Sequence, residues 1–412
     1  MREPDRPPAP VRDRADRIQH FRPSVFSEMR ELAVRTGAVD VGQGAPAMAA
    51  PAGLTAAVTA AVEQGLNQYS PAAGLPELRE AVASYRRRTT GVRYRPDTEV
   101  VVTAGATEAL SAAMLAFCDP GDEVLTFDPC YDAYSACADL AGARLVTVPL
   151  AAADEGFVLD EAALRAGFGP RTRVLLLNTP HNPTGKVFTD EELAVVAGLC
   201  REHGVVVVAD EVYEHLTYDG RRHRTIAALP GMRERTLVVS GAGKTFNVTG
   251  WRIGWACGPA PLVDALLSVK QFVTFAAGTP FQAAVAGALW DVEEWAGELR
   301  EELSCRRDLL RNGLEAAGLP AFPGEGGYFV LADVRGWGYT DDVEFCRDLP
   351  VRAGVVAIPC SAFHRRADAP RWLARFAFCK SAEAVAEAVA RLGAAAKEGA
   401  GARSTGAAER SS

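Results

Sequence analysis

Lys244 stands in a glycine-rich turn, which is an unusual setting for a lysine. The turn follows the apolar run 237–239, Gly241 and Gly243 precede the lysine, and Arg252 follows shortly after it. Because glycine has no side chain, it lets the backbone approach another group closely. An ordinary surface lysine lies instead on a polar helix or loop. The turn therefore predicts a site that binds a ligand.

Asp210 and Tyr213 follow a second apolar run, residues 205–208. A carboxylate at the carboxyl end of a buried strand lies where open α/β sheets place their ligand crevice. Burying that carboxylate without a partner would be costly. Two interpretations stay open: Asp210 caps a helix or pairs with an arginine, or it binds the protonated ring nitrogen of a cofactor.

Two more loops carry polar groups after apolar runs. Asn182 lies in a stiff loop with prolines and a glycine, and its amide can donate to an anionic oxygen. Gly105, Ala106 and Thr107 lie between an apolar run and a helical stretch, where free N–H groups and a hydroxyl could hold a phosphate. Each loop alone is also compatible with ordinary turn chemistry.

The pattern of apolar runs shows what must position these loops. Such runs alternate with helical stretches from about residue 98, which predicts an α/β fold with a mostly parallel sheet. Several runs are apolar at consecutive positions, as expected for strands covered by helices on both faces. The predicted sheet has seven strands, at residues 100–103, 123–127, 144–148, 173–177, 205–208, 236–239 and 253–256.

Composition along the chain predicts a large domain and a smaller α+β domain. Residues 54–288 would form the large domain, and residues 21–53 and 289–397 the small one. Residues 1–20 and 398–412 lack core-forming patterns and are predicted to be a disordered lead-in and tail.

The overall composition narrows the classes of function. A net charge of -8 argues against a broad nucleic-acid surface, and nine scattered cysteines without paired spacing suggest neither a zinc site nor disulfides. We expect no bound metal. The start has no apolar signal segment, and no apolar run has the length of a membrane span. The expected compartment is the cytoplasm.

Several separated motifs occur in an order that resembles a known family. They are Val41-Gly-Gln-Gly44, Asn67-Gln-Tyr69, Asn182-Pro-Thr-Gly-Lys186, Asp210-Glu-Val-Tyr213, Gly243-Lys-Thr-Phe246 and Arg375-Phe-Ala-Phe378. Together they resemble the class I aminotransferases of the fold-type I superfamily, which depend on pyridoxal 5'-phosphate (PLP). The branch that contains kynurenine, glutamine and methionine aminotransferases is especially similar.

This resemblance implies transfer of the α-amino group of an L-amino acid to a 2-oxo acid. Lys244 would form an aldimine with PLP and, once freed by substrate, would move the proton at the substrate Cα. Both roles need a neutral amine, and the pKa of a lysine falls when it is buried or near positive charge. Asp210 would keep the pyridine nitrogen protonated, so that the ring accepts electrons.

The resemblance also implies which residues bind cofactor and substrate. The cofactor would contact Gly105, Ala106, Thr107, Tyr131, Asn182, Tyr213, Arg252 and Tyr69, the last from a neighbouring subunit. A homodimer with shared active sites follows. Arg375 would grip the substrate α-carboxylate with help from Asn182 and Gly44, and Phe26 and Phe275 would help form the side-chain pocket.

Three positions depart from the family pattern. Relatives usually have a serine three residues before the lysine, whereas this chain has Gly241 there and Ser240 one residue earlier. One phosphate contact would then have to come from Ser240 or from water, and Ser240 is the candidate ligand within the chain. His181 is interpreted as a loop histidine, and Ala276 predicts a roomier substrate pocket.

Two alternative functions share parts of this pattern. The same lysine and cofactor also serve β-elimination, β-replacement or cyclisation of a modified amino acid. Some transcription regulators carry an aminotransferase-like domain behind a DNA-binding domain, but only about forty residues precede Gly42 here. The acidic net charge also argues against that function.

Overall fold

The strands of the structure include every predicted run of the large sheet. The structure, a computed structural model, describes residues 13–21, 25–153 and 156–408, with side chains through residue 398. The strands are β1 (Val39–Asp40), β2 (Val100–Thr103), β3 (Glu123–Asp128), β4 (Arg144–Ala153), β5 (Gly156–Leu159), β6 (Thr172–Asn178), β7 (Val206–Asp210), β8 (Thr236–Gly241), β9 (Gly254–Cys257), β10 (Phe329–Asp333), β11 (Val355–Val356), β12 (Ile358–Pro359) and β13 (Leu373–Ala377).

Helices alternate with these strands along the chain, as the apolar pattern predicted. They are α1 (Val25–Thr36), α2 (Ala52–Glu63), α3 (Pro76–Thr90), α4 (Ala106–Phe117), α5 (Ala133–Leu140), α6 (Glu161–Gly167), α7 (Asp190–Glu202), α8 (Ala242–Thr245), α9 (Ala260–Val273), α10 (Thr279–Ala288), α11 (Val292–Ala316), α12 (Asp342–Arg352) and α13 (Ala382–Ala408). Residues 289–291 interrupt the helix between α10 and α11.

The large sheet has one strand more than predicted. Its order is β2-β9-β8-β7-β6-β3-β4-β5, with parallel pairing from β8 through β4 and antiparallel pairing of β9 and β5 with their neighbours. The added strand, β5, pairs only with the outer part of β4, where Leu159 lies opposite Leu150. Its apolar segment is residues 157–159, which is too short to stand out as a periodic run.

Helices cover both faces of this sheet. On one face α4 packs against α5 and α9, and on the other α10 packs against α2 and α3. Within β2, Val101 packs with the α4 side, whereas Val100 and Val102 pack with the α3 side. Successive strand residues point to opposite faces, so two covered faces account for the uninterrupted apolar runs.

A second group of elements joins the two ends of the chain. β10, β13 and β12 form an antiparallel sheet, while β1 pairs with β11 through Val39 and Val355. α1 packs against α12, and α11 against α13. These pairings support the assignment of residues 21–53 and 289–397 to one small domain, whose boundaries stay a prediction.

The two chain ends differ in how far the structure tests them. Of the predicted lead-in, residues 1–12 lie outside the described residues, and Asp16–Ile18 forms a short 3-10 helix. α13 continues through Ala408, so helix extends into the segment predicted to be a disordered tail, and 409–412 lie outside the description. Alanine, frequent in that segment, has the highest helix propensity. No helix in the described part of the chain is both long and apolar enough to cross a membrane.

Candidate active site

The carboxyl ends of several parallel strands meet at one cavity, as expected for an open α/β sheet. The cavity has a volume of about 440 Å³. Its walls come from the loops after β2, β3, β6, β7 and β8 and from the β10 and β13 region. The predicted site residues that line it are Phe26, Gly44, Gly105, Ala106, Thr107, Tyr131, Asn182, Asp210, Tyr213, Lys244, Arg252 and Arg375.

Lys244 lies on the short helix α8, directly after β8. Its Nζ donates to the hydroxyl of Tyr328 at 2.6 Å and to the backbone oxygen of Gly44 at 3.3 Å. Burial lowers its pKa to about 8, and the positive charges of Arg375 and Arg252 act in the same direction. A substantial fraction of this amine is therefore neutral near pH 8, as a base or nucleophile requires.

Asp210 is the last residue of β7 and is almost fully buried. Burial raises its pKa to about 6, although the hydrogen bond from Tyr134 opposes the shift. Its Oδ2 accepts from the Tyr134 hydroxyl at 2.8 Å, and Oδ1 accepts from the backbone of Val212 at 3.3 Å. The carboxylate faces the cavity with tyrosine and backbone donors as its partners rather than an arginine.

Asn178 connects two of the predicted residues. Its side-chain amide donates to the backbone oxygen of Asp210 at 2.9 Å, and its Oδ1 accepts from the backbone N–H of Asn182 at 2.7 Å. The loop that carries Asn182 is thus tied to the end of β7. The side chain of Tyr213 lies in the same region, where it packs edge-on against the ring of Tyr328.

A cradle for an anion forms where α4 begins. Gly105 precedes the helix with a φ of 80°, so that the N–H groups of Ala106 and Thr107 start the first turn. A Cβ added at Gly105 would lie 2.7 Å from Nη2 of Arg252, and one added at Gly254 would lie 2.5 Å from the backbone carbon of Gly105. The two glycines permit this close approach. Free N–H groups at a helix start and a guanidinium together suit a phosphate.

Arg375 lies in β13 and is fully buried between aromatic rings. Its guanidinium carbon is 3.9 Å from the ring centre of Phe329, 4.6 Å from that of Phe363 and 5.3 Å from that of Phe26. Nη1 donates to Oδ1 of Asn182 at 2.9 Å and Nη2 to the oxygen of Gly42 at 3.1 Å.

The charge of Arg375 suits a substrate carboxylate. Burial lowers its pKa to about 10, so the side chain stays charged at neutral pH. Its buried Nε has no hydrogen-bond partner among the residues that the structure describes. The backbone oxygen that accepts a hydrogen bond from Arg375 is that of Gly42. The oxygen of Gly44, which was predicted to help bind the substrate carboxylate, accepts from Lys244.

Ser240 does not reach the cavity, which corrects its prediction as a cofactor ligand. Its side chain is fully buried and donates to Oε1 of Glu214 at 2.6 Å. Glu214 in turn pairs with the buried Arg86. Successive residues of β8 point to opposite sides, so Gly241 lines the cavity and Ser240 faces away.

Gly241 is fixed by packing rather than by an unusual backbone angle. Its φ of 176° is ordinary extended backbone. A Cβ added there would lie 2.8 Å from the oxygen of Ile253 and 3.0 Å from the Cα of Gly254. The close approach of β9 therefore leaves no room for the serine that relatives usually carry.

Tyr69 and Phe275 lie outside the cavity of their own chain. The Tyr69 side chain is 86% exposed, and its ring packs edge-on against that of Phe275 with centres 5.6 Å apart.

His181 is buried in its loop, where Nδ1 hydrogen-bonds the hydroxyl of Thr184 at 2.8 Å. Burial lowers its pKa to about 3, so it is neutral, in agreement with a loop histidine.

Tyr328 and Asn178 are among the residues that contact predicted ones but were not themselves predicted. Tyr328 holds Lys244, and Asn178 links Asp210 to the Asn182 loop. Asn178 could have been noticed as a polar residue at the end of the apolar run 173–177. Tyr328 follows Gly326 and Gly327, but nothing local indicates that it reaches Lys244.

Comparison with known proteins decides the family. The model of the class I and II aminotransferases matches residues 36–392. The chain belongs to the class I and II aminotransferases. A probable N-succinyldiaminopimelate aminotransferase of Mycobacterium tuberculosis is 47% identical over 91% of this chain and 97% of its own. The methionine aminotransferase of Escherichia coli is 38% identical over 90% and 95% of the two chains.

Solved structures agree with these sequence relatives. The N-succinyldiaminopimelate aminotransferase of Mycobacterium tuberculosis superposes with a TM-score of 0.91 over 93% of this chain and 100% of its own, at 47% identity. The Thermus thermophilus aspartate aminotransferase with maleate gives a TM-score of 0.85 over 93% and 100%, at 36% identity. The predicted fold-type I architecture is confirmed, and this aminotransferase depends on PLP.

The cavity fits PLP on its own geometry. Its donor set comprises a helix start and Arg252 for a phosphate, a buried carboxylate at Asp210 for a ring nitrogen, and the amine of Lys244. Gly105 and Gly254 permit the close approach that brings the guanidinium of Arg252 to the start of α4, beside the free N–H groups.

Proposed function

We propose that the aminotransferase reaction is carried by Lys244, Asp210 and Arg375 in this one cavity. PLP, when bound, supplies an electron-accepting ring conjugated to the reacting carbon of the substrate. Lys244 is the group to take the proton from the substrate Cα and return it, because its amine is partly neutral near pH 8. The observation that carries this proposal is that the side chains of Lys244, Asp210 and Arg375 line one cavity at the carboxyl ends of the sheet strands.

Asp210 would hold a protonated ring nitrogen at the floor of the cavity. The carboxylate has a pKa of about 6 because of burial, so it is charged at neutral pH, and its hydrogen bonds come from Tyr134 and the backbone of Val212 rather than from a cation. A positive ring nitrogen would compensate this buried charge. Asn182 and Tyr213 line the same cavity and would donate to the phenolic oxygen of the cofactor.

The phosphate and the ring would be held from the other sides. Gly105, Ala106 and Thr107 offer the helix start, and Arg252 the charge. Tyr131 lies in the cavity wall, where its ring would stack on the cofactor. Arg375 would bind the substrate α-carboxylate with Asn182, using a rigid fork that orients the Cα–H bond.

The enzyme is proposed to act in the cytoplasm as a homodimer with shared active sites. Tyr69 and Phe275 are partly or largely exposed and lie outside their own cavity, which suits residues that complete the site of a second subunit. Phe26 would border the substrate side chain within its own subunit, since it packs over Arg375.

For the amino donor we propose N-succinyldiaminopimelate or a close analogue. The support is the 47% identity to the Mycobacterium tuberculosis relative that bears this substrate in its name, against 38% to the methionine aminotransferase. A rate comparison tests it. With 2-oxoglutarate as acceptor, kcat/KM for N-succinyldiaminopimelate should exceed that for methionine or kynurenine by about tenfold or more. Equal or reversed values would exclude this donor.

The reaction type is tested in the same assay. Transamination gives one glutamate for each 2-oxo acid formed and needs the acceptor, so omitting 2-oxoglutarate should stop turnover. Elimination is tested with a donor that carries a leaving group at Cβ, such as a cysteine S-conjugate: release of ammonia, pyruvate and the thiol without an acceptor would indicate elimination instead. A Lys244→Ala variant measures the background in both assays.

A further inference from the structure

Tyr328 makes the shortest contact with the amine of Lys244. The Tyr328 hydroxyl is 2.6 Å from Lys244 Nζ and donates its own hydrogen to the oxygen of Gly44, also at 2.6 Å. Gly44 O accepts from Lys244 as well, at 3.3 Å. The amine, the phenol and the backbone oxygen thus form a closed triangle that joins α8 to the residue before β10.

We propose that Tyr328 is a positioning residue for Lys244, which holds the free amine in one orientation toward the cavity. This inference rests on the proposed role of Lys244 as the proton-transferring group. Besides its bond to carbon, the nitrogen of a neutral amine carries two hydrogens and one lone pair. The two hydrogens are donated to Tyr328 and Gly44, so the direction of the lone pair is fixed.

The setting of Tyr328 makes its hydroxyl a rigid acceptor. The residue is buried, with 1% of its surface exposed, and its ring packs against those of Tyr213 and Phe329 with centres 5.1 and 4.8 Å apart. The phenol hydrogen is directed to Gly44 O, which leaves the phenol oxygen to accept from Lys244. A lysine side chain is otherwise flexible, and a misplaced base transfers protons slowly.

Other titratable groups around Lys244 do not replace this contact. Arg375, Arg252, Asp210 and Cys379 all influence its charge, but the hydrogen bonds of Nζ go to Tyr328 and Gly44. An oxygen that accepts from an ammonium favours the protonated form, since charge-assisted hydrogen bonds are the stronger ones. Loss of the Tyr328 hydroxyl should therefore lower the pKa of Lys244.

Tyr328→Phe tests the proposal, with Tyr218→Phe as the matched control. Tyr218 is also buried and also donates to a backbone oxygen, that of Gly327 at 2.8 Å, but it does not contact Lys244. In the cofactor-free proteins, acylation of Lys244 is followed against pH by mass spectrometry of its peptide. The midpoint should fall by about one pH unit in Tyr328→Phe and stay at the wild-type value in Tyr218→Phe.

Steady-state kinetics of the PLP-loaded proteins give the second readout. Tyr328→Phe should lower kcat about tenfold with little change in KM, because orientation of the base is lost while Arg375 is untouched. Tyr328→Met also lacks the hydroxyl and gives a second measurement if the phenylalanine variant does not fold.

An unchanged Lys244 midpoint in both Tyr328 variants would overturn the proposal, as would an equal shift in Tyr218→Phe. Failure of the broader function is a separate result. Full turnover by Lys244→Ala would refute the role of the lysine, whereas the titration of the cofactor-free protein would still report whether Tyr328 holds the amine.

Discussion

The hydroxyl of Tyr134 donates a 2.8 Å hydrogen bond to Oδ2 of Asp210, beneath the cavity that Lys244 faces. Tyr134 is fully buried on α5, so the bond fixes the carboxylate at the end of β7. A buried carboxylate with one neutral side-chain partner is stable mainly when a positive group completes the site.

Asp210→Asn should therefore lower catalysis much more than binding. The amide cannot keep a ring nitrogen protonated, so the electron-accepting power of the cofactor falls. We expect kcat to drop by about 10²-fold or more, with KM changed by less than about threefold. Steady-state kinetics with saturating PLP measure this. A large rise in KM at unchanged kcat would contradict the proposed role.

The same substitution should stabilise the cofactor-free protein as the pH rises. The folded-state pKa of Asp210 is raised to about 6 from the ordinary value of 3.8, so its contribution to stability is present at low pH and lost as pH rises through 6. Asparagine does not ionise, so the Asp210→Asn protein does not lose this stability as the pH rises. Between pH 4 and pH 8, the unfolding free energy of Asp210→Asn should gain about 2 kcal/mol relative to wild type. A pH-independent difference would contradict this.

Arg375→Lys should weaken binding of the amino acid. Lysine offers no planar fork and cannot stack in the same way between Phe329 and Phe363. We expect KM to rise about 10-fold to 100-fold. Arg371→Lys is the control, because Arg371 is exposed and pairs with Asp341 away from the cavity. Equal effects of both variants would argue against a carboxylate contact by Arg375.

Gly241→Ser should destabilise the protein instead of restoring a phosphate contact. The added Cβ would meet Ile253 O at 2.8 Å, and overpacking of this kind costs about 1–3 kcal/mol. Thermal unfolding of the cofactor-free variant measures the loss. Gly198→Ser in α7, where an added Cβ meets nothing within 4 Å, is the control. Tighter PLP binding without a loss of stability would show that the space exists.

Mixed dimers test whether subunits share active sites. A homodimer of Tyr69→Ala, or of Lys244→Ala, has both of its active sites damaged. A mixed dimer contains one chain of each variant. If Tyr69 serves the partner, the site on the Tyr69→Ala chain then has its own Lys244 and an intact Tyr69 from the Lys244→Ala chain. Activity after refolding a mixture should exceed that of either variant alone. A mixture with no more activity than the average of the two would rule out sharing.

Local sequence patterns were sufficient for the residues at strand ends. Lys244, Asp210 and Asn182 each follow an apolar run, and parallel strands bring their carboxyl ends to one edge. Ser240 was misplaced even though strand alternation already separates it from Gly241. The alternation of side chains along β8 was the signal that could have corrected the assignment of Ser240 to the cofactor.

Long-range contacts explain what the sequence did not predict. Tyr328 lies 84 residues from Lys244, and Gly44 lies 200 residues from it, so their triangle depends on how the elements pack. The space at Gly241 is likewise set by Ile253 and Gly254, where β9 begins. Such relationships need the three-dimensional arrangement, because no local periodicity encodes them.

The most direct test of the account is covalent attachment of PLP to Lys244. The PLP-loaded protein is reduced with borohydride, digested and mapped by mass spectrometry, with Lys244→Ala treated in parallel. The account predicts that the cofactor mass is fixed on the peptide that contains Lys244, and that Lys244→Ala shows neither this adduct nor turnover. Attachment to another lysine, or full turnover by Lys244→Ala, would contradict it.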